Sequence, residues 1–185
     1  MAATSKSPLD LALSLAGMGY KVFPCNREKK PSIPSAHPEG DPLRGKCQGA
    51  CGKLGHGFHD ATSDPAEIRN LWTRYPGDLV GIYCEKSGFF ALDVDRKNGI
   101  DGDRVLFDLI TTRGSGQPIP CGPMQTTPSN GYHILFTLPA GVKIPNTSAK
   151  LAPGLDLRSA GYILSLIHIS EPTRRTPISY AVFCL

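Results

Sequence analysis

Apolar residues recur at helical spacing in three stretches of the chain. Leu9, Ala12, Leu13 and Ala16 mark one face of a first helix. Ser7 can cap it, Pro8 suits its first position, Asp10 completes a box-like arrangement with Ser7, and Gly17 to Gly19 close it. Asp64, Pro65 and Glu67 make a second such start, followed by the apolar face of Ile68, Leu71, Trp72 and Tyr75. Asp101 can cap a third helix carrying Val105, Leu106, Leu109 and Ile110. Elsewhere the pattern shortens to strands: residues 20–24, 79–84, 89–94, 124–127, 132–138, 155–158 and 162–163. Residues 89–92 are apolar before the first acid, which reads as a buried strand, and 124–127 and 132–138 pair about a Pro-Ser-Asn-Gly turn. This order predicts an α/β (α+β) chain with a central mixed sheet. No internal repeat is visible.

Between residues 25 and 60 the periodicity dissolves into Pro, Gly, Lys, Cys and His. The stretch is too long for an ordinary connection, which points to function or to a metal that stiffens it. Cys47 and Cys51 are followed by His56 and His59, with Cys25 and His37 upstream. These are the sulfur and nitrogen ligands of a structural Zn2+. Two free thiols in a loop are the alternative. Cys84 and Cys121 read as buried or incidental.

Composition narrows the classes. The 185 residues suit one domain with room for two lobes, and 40% hydrophobic with 19% charged residues supports a folded core. No apolar run approaches the ~20 residues of a membrane span, and the N-terminus lacks the pattern of a secretory signal. A cytoplasmic protein with no membrane partner is expected, and its six cysteines then read as ligands or buried thiols rather than disulfides. The net charge of +4 permits nucleic-acid binding and equally fits an ordinary, slightly basic protein.

The segment from Leu164 to Arg174 looks like the translation of a transposon-end sequencing adapter, and Ile178 to Leu185 like the flow-cell end of the same adapter. Residues 164–185 are accordingly expected to be an artefactual tail that packs poorly and leaves a sheet edge unsatisfied. His168 and Cys184 then carry no function. The catalytic domain is expected over residues 1–163, C-terminally truncated.

Three short motifs carry chemistry. In Leu92-Asp93-Val94-Asp95, two acids stand two apart at a strand end, on the same side. Like charges that close call for a cation, and hard oxygen donors suit Mg2+ or Mn2+; a solvated strand edge is the plainer alternative. In Ser129-Asn130-Gly131-Tyr132-His133, a hydroxyl and approachable backbone N–H groups can cradle phosphate, with a hairpin turn as the alternative. In Asp156-Leu157-Arg158, a carboxylate and a guanidinium share one side of a strand, as ligand and phosphate contact or as a salt bridge.

Taken together, Asp-x-Asp, then Ser-x-x-x-His entering a strand, then Asp-x-Arg before Gly161-Tyr162-Ile163 resembles the motif order of archaeo-eukaryotic-type primases. The match is nearest to the N-terminal bifunctional primase–polymerase domain of phage, plasmid and bacterial replication proteins. Gly17-Met18-Gly19-Tyr20-Lys21-Val22-Phe23-Pro24, Lys30-Pro31 and His59-Asp60-Ala61-Thr62-Ser63-Asp64-Pro65 extend the resemblance, which covers about residues 9–163.

The resemblance implies a two-lobed core, an α/β lobe joined to an RRM-like lobe with the active site between. It implies two-metal nucleotidyl transfer on a DNA template, with Asp93, Asp95 and Asp156 holding Mg2+ or Mn2+. Ser129, Gly131 and His133 would contact the nucleoside triphosphate, His133 within the catalytic group, and Arg158 and Lys30 would add charge there. A helicase domain or protein is an implied partner. Two departures stand out. Asn130-Gly131 replaces the family's Gly-Gly, and Ala160-Gly161 runs through Tyr162-Ile163 into the tail, so the last sheet strand and closing segment are expected to be missing and activity impaired. Two rivals remain at this point. A nucleotide-sugar transferase would use the same acidic pair but leave Ser129, His133 and Asp156–Arg158 without a shared purpose. A non-catalytic RRM-like or zinc module would expose stacking aromatics, whereas here they sit in apolar faces and strands.

Overall fold

The computed structural model describes residues 7–97, 99–114, 122–127, 129–147 and 151–165. Three helices begin at the caps the sequence offers. α1 (Pro8–Gly17) starts at Ser7, whose hydroxyl accepts from the Asp10 amide at 3.2 Å. α2 (Pro65–Arg74) starts at Asp64, which accepts from the amides of Ala66 and Glu67 at 2.8 and 2.9 Å. α3 (Gly102–Arg113) starts at Asp101, which accepts from Arg104 at 3.2 Å. Each cap satisfies a backbone donor the helix cannot, an effect of about 1 kcal/mol. No helix among the described residues is long and apolar enough to cross a membrane.

Among the described residues seven strands accompany the helices: β1 (Val22–Cys25), β2 (Leu79–Tyr83), β3 (Phe89–Val94), β4 (Met124–Thr126), β5 (Tyr132–Thr137), β6 (Leu155–Arg158) and β7 (Tyr162–Ser165). They do not form the single central mixed sheet expected from the sequence. They form two sheets, β1-β2-β7 and β4-β5-β3-β6, with every pairing antiparallel. The reason lies in the connections. β3 meets β5 and β6 running against it, and β7 returns to β2 from 79 residues along the chain at Tyr83↔Tyr162, so no parallel crossover is made. Period-two patterning identifies strands but is blind to their partners.

The chain divides into two compact units. One combines residues up to Ser87 with the segment from Gly161. In it α1 and α2 pack together and onto β1 and β2, burying Leu15, Ile68, Leu71, Phe23 and Val80. A side chain at Gly81 would collide with the Phe23 ring, so glycine lets that ring lie across β2. The other unit is built on Gly88–Ala160. There α3 covers one face of the four-stranded sheet, and Leu92, Val94, Leu106, Tyr132, Ile134 and Leu155 form the core.

The boundary expected at Leu164 does not coincide with an end of regular structure. Leu164 and Ser165 lie in β7 and pair with Gly81 and Val80. Residues 166–185, with His168 and Cys184, lie outside the described residues, as does Cys121.

Candidate functional site

In the four-stranded sheet β3 is flanked by β5 and β6. Its even-numbered residues Leu92 and Val94 enter the core under α3. Alternation therefore sends Asp93 to the opposite face. Register then fixes its neighbours: Asp93 lies opposite His133 on β5 and opposite Asp156 on β6, while His133 lies opposite Gln125 on β4. The result is a polar row across all four strands, Gln125, His133, Asp93, Asp156, with Arg158 one step along β6.

Contacts within the row are electrostatic. His133 Nε2 lies 3.4 Å from Asp93 Oδ1, and Arg158 Nη2 lies 3.6 Å from Asp93 Oδ2 and 3.4 Å from Asp156 Oδ2. A guanidinium thus stands between the two carboxylates, where paired acids call for positive charge. Burial pushes the Asp93 carboxyl up, but the hydrogen bond from His133 and the charges of His133, Arg158 and Lys97 outweigh it and hold the group below its ordinary value. Asp93 is therefore a carboxylate at neutral pH. His133 Nδ1 is buried without a hydrogen-bond partner. Thr147 Oγ1 approaches Asp156 Oδ1 at 3.5 Å.

Asp95 follows the end of β3. Its backbone is pinned by the Gly102 amide donating to its carbonyl and its own amide donating to Gly154, each near 3 Å. Its side chain pairs with Lys97 at 2.9 Å. Among the described residues Asp93, Asp95 and Asp156 do not form a group with all donor atoms within 4.8 Å of one another. The structure brings Asp93 and Asp156 together and sets Asp95 beside them on Lys97.

The turn between β4 and β5 carries Ser129 and Gly131. The Thr127 amide donates to the Gly131 carbonyl at 2.8 Å, and Asn130 takes φ 61°. Asparagine thus supplies the left-handed conformation a second glycine would have provided. A side chain at Gly131 would collide with the Val94 carbonyl, so glycine seats the turn against the end of β3, next to Asp95. The exposed Ser129 hydroxyl is 3.2 Å from that of Thr127. Arg96 holds the turn: it donates to the Asn130 carbonyl, pairs with Asp103 in the first turn of α3, and lies 5.2 Å over the Tyr132 ring. Tyr132 completes the set by donating to Asp103 at 2.8 Å. Sequence reading missed Arg96, Asp103 and Gln125. For Gln125 the only available signal was its strand parity with His133.

Lys30 belongs to the other unit. It closes a turn with Asn26 and pairs with Glu28 at 3.2 Å.

In that unit the Cys/His stretch folds into a second cluster. The Ala36 amide donates to the Gly55 carbonyl at 2.6 Å and Ser35 bridges to His56, so two distant parts of the loop cross. Only glycine fits the crossing, because a side chain at Gly55 would meet the Ala36 backbone at 2.6 Å, and Gly55 has φ 133°. The crossing brings His37 and His56 together with ring centres 5.7 Å apart. Donor atoms of His37, Cys47, Cys51 and His56 all lie within 4.8 Å of one another, so these four can hold a metal ion. The backbone amides of Gly49 and Cys51 hydrogen-bond the Cys47 sulfur and, with the His37 ring beside it, lower its pKa to about 6.

His59 does not join this cluster, contrary to expectation, and His37 takes its place. The His59 ring packs on Phe58 and Tyr83 at 4.1 and 5.7 Å between centres. Burial, then Lys86, holds its pKa below the ordinary value. Cys25 is buried in β1, and burial pushes its thiol up to about 12.

No curated protein matches the chain. The model of the family described as "Bifunctional DNA primase/polymerase, N-terminal" matches residues 12–181, most of the sequence and both units just described. With that match over the ordered acid, histidine and arginine motifs, the chain belongs to the bifunctional DNA primase/polymerase N-terminal family.

Proposed function

We propose that this protein is a template-directed DNA primase and polymerase, and that the row on the four-stranded sheet is its catalytic centre. The observation that carries the reading is the register that sets His133, Asp93 and Asp156 side by side on three adjacent strands. Two acids and a histidine facing one another on the sheet face away from α3 are groups that metal-assisted chemistry on a phosphate would use. The two-lobed arrangement with an RRM-like lobe belongs to the same proposal.

The donor set fits a hard divalent cation. Asp93 is held ionised, Asp156 faces it, Asp95 stands at the adjoining strand end, and Arg158 already compensates the charge. Asp93, Asp95 and Asp156 would hold Mg2+ or Mn2+, which supply Lewis acidity toward the triphosphate and the attacking 3′-hydroxyl. The remaining steps fall to the chain. Ser129 and the turn at Gly131 offer a hydroxyl and backbone to triphosphate oxygens. His133 presents Nε2 into the row and orients Asp93. Arg158 can pass from carboxylates to phosphate, a geometry its planar fork suits.

The test is nucleotide incorporation on a primed and an unprimed template with Mg2+ or Mn2+. Asp156→Ala and Asp93→Ala should each remove both activities, and Arg158→Ala should raise KM for the nucleotide. Retention of near-normal incorporation by Asp93→Ala would exclude this row as the catalytic centre.

A further inference from the structure

The cluster in the irregular loop has features that two free thiols would not need. His37 Nδ1 is 2.9 Å from Asp41 Oδ2, and His56 Nδ1 is 3.4 Å from Asp60 Oδ1. Each imidazole therefore gives its Nδ1 proton to a carboxylate and keeps Nε2 as the nitrogen available to a metal. His56 Nε2 lies 3.2 Å from Cys51 Sγ. His37 Nε2 is buried and has no hydrogen-bond partner, a condition that is costly unless something else occupies its lone pair. Both aspartates are themselves fixed. Asp41 accepts from the Leu43 amide at 2.8 Å, and Asp60 accepts from the amides of Gly55 and His56 at 2.8 and 2.7 Å.

We infer that His37, Cys47, Cys51 and His56 bind one Zn2+ in a closed tetrahedral site, with Asp41 and Asp60 as the residues that orient the two histidines. Mixed nitrogen and thiolate donors select zinc over the hard cations that suit the sheet carboxylates. Tetrahedral zinc places its ligand atoms roughly 3.3–3.8 Å apart. The four donors, all within 4.8 Å, need to close by only about an ångström. Binding takes up the two sulfurs as thiolates and both Nε2 lone pairs, and any displaced thiol proton goes to solvent. The site has a structural role. It ties residues 37–56, which contain no helix or strand, into one closed loop, and its ligands His37, Cys47 and His56 line a cleft of about 370 Å³ together with Ile33 and Phe58. The inference is independent of the nucleotidyl-transfer reading.

The test uses the full 185-residue chain, with Zn2+ and Co2+ as probes. One zinc per chain is expected, and the Co2+ form should show thiolate-to-cobalt charge transfer and the intense visible bands of a tetrahedral centre. His37→Ala and Cys51→Ala should lose stoichiometric metal, while His59→Ala should keep it. Asp41→Asn and Asp60→Asn should bind with affinity lower by ~10–100-fold and unaltered Co2+ band positions. If His37→Ala does not fold, the His59→Ala and wild-type titrations still decide. A wild-type chain that takes up no zinc, with Cys47 and Cys51 both freely alkylated, overturns the site. So does loss of metal in His59→Ala with retention in His37→Ala.

Discussion

The sheet row and the loop cluster place their side chains by opposite means. Asp93, His133 and Asp156 are set by backbone hydrogen bonds of three adjacent strands, over a core that α3 covers. His37, Cys47, Cys51 and His56 are set by a crossing of irregular chain at Ala36 and Gly55 and by two aspartates. The first arrangement is paid for by the hydrophobic core beneath it and persists whatever binds. The second has little apolar support of its own, so its order should depend on what the four donors hold.

The sharpest way to break this contrast is Asp93→Ala. Nucleotide incorporation should fall by at least ~100-fold, since a group holding transition-state charge is lost. The thermal midpoint at neutral pH should fall only modestly, because His133 and Arg158 lose the ionised partner that they hold below its ordinary pKa. A large drop in midpoint would mean that the row is structural.

Glycine substitutions come next. Gly131→Ala meets the Val94 carbonyl, and Gly55→Ala meets Ala36 at a left-handed φ. Each should cost about 1–3 kcal/mol in urea titrations. Added zinc should restore Gly55→Ala in proportion to its concentration and leave Gly131→Ala unaffected. Equal rescue of both would erase the distinction between the regions.

Hydrogen exchange tests the same point without substitution. A chelator should speed exchange in residues 35–60 while strands β3 and β5 keep their protection.

The smallest effect concerns pH. The hydrogen bond from Arg96 lowers the Asp103 pKa, burial opposes it, and Tyr132 adds to the lowering. A depressed carboxylate pKa contributes stability that is complete above the ordinary aspartate value and is lost as pH falls through the lower folded value. Asp103→Asn should thus be less stable than wild type at pH 7, with the gap closing at the acid end. Urea midpoints at the two pH values measure it, and a gap independent of pH would show that the ionised carboxylate is not what matters.

Much of this was legible in the sequence. Ser7, Asp64 and Asp101 announced the helix starts, and the strand at residues 89–94 stands where its apolar run put it. Asp93, His133 and Asp156 could be singled out because each falls on a recognisable motif. Their adjacency could not, because strand partners depend on contacts across the chain; the same blindness produced one mixed sheet where two antiparallel ones stand. The loop misled in a different way. Spacing along the chain places His59 nearer Cys51 than His37, yet the chain folds back through Ser35 and His56 and brings His37 in. One signal was available: His37 and His56 each have an aspartate four residues on, Asp41 and Asp60, whereas position 63 after His59 is a serine.

Because Asp93 has a partner on both sides, the row obeys a parity rule. Adding one residue within β3, β5 or β6 would turn a side chain from the open face into the core beneath α3, so length changes there are all-or-none. The connection between β5 and β6 leaves the sheet at Thr137 and is tied back to it only from Asn146 onward, where Asn146 and Thr147 bond β6 and the Gly154 carbonyl accepts from Asp95. The lineage of such a domain can lengthen or shorten the part before Asn146, and divergence should collect there while strand lengths stay frozen.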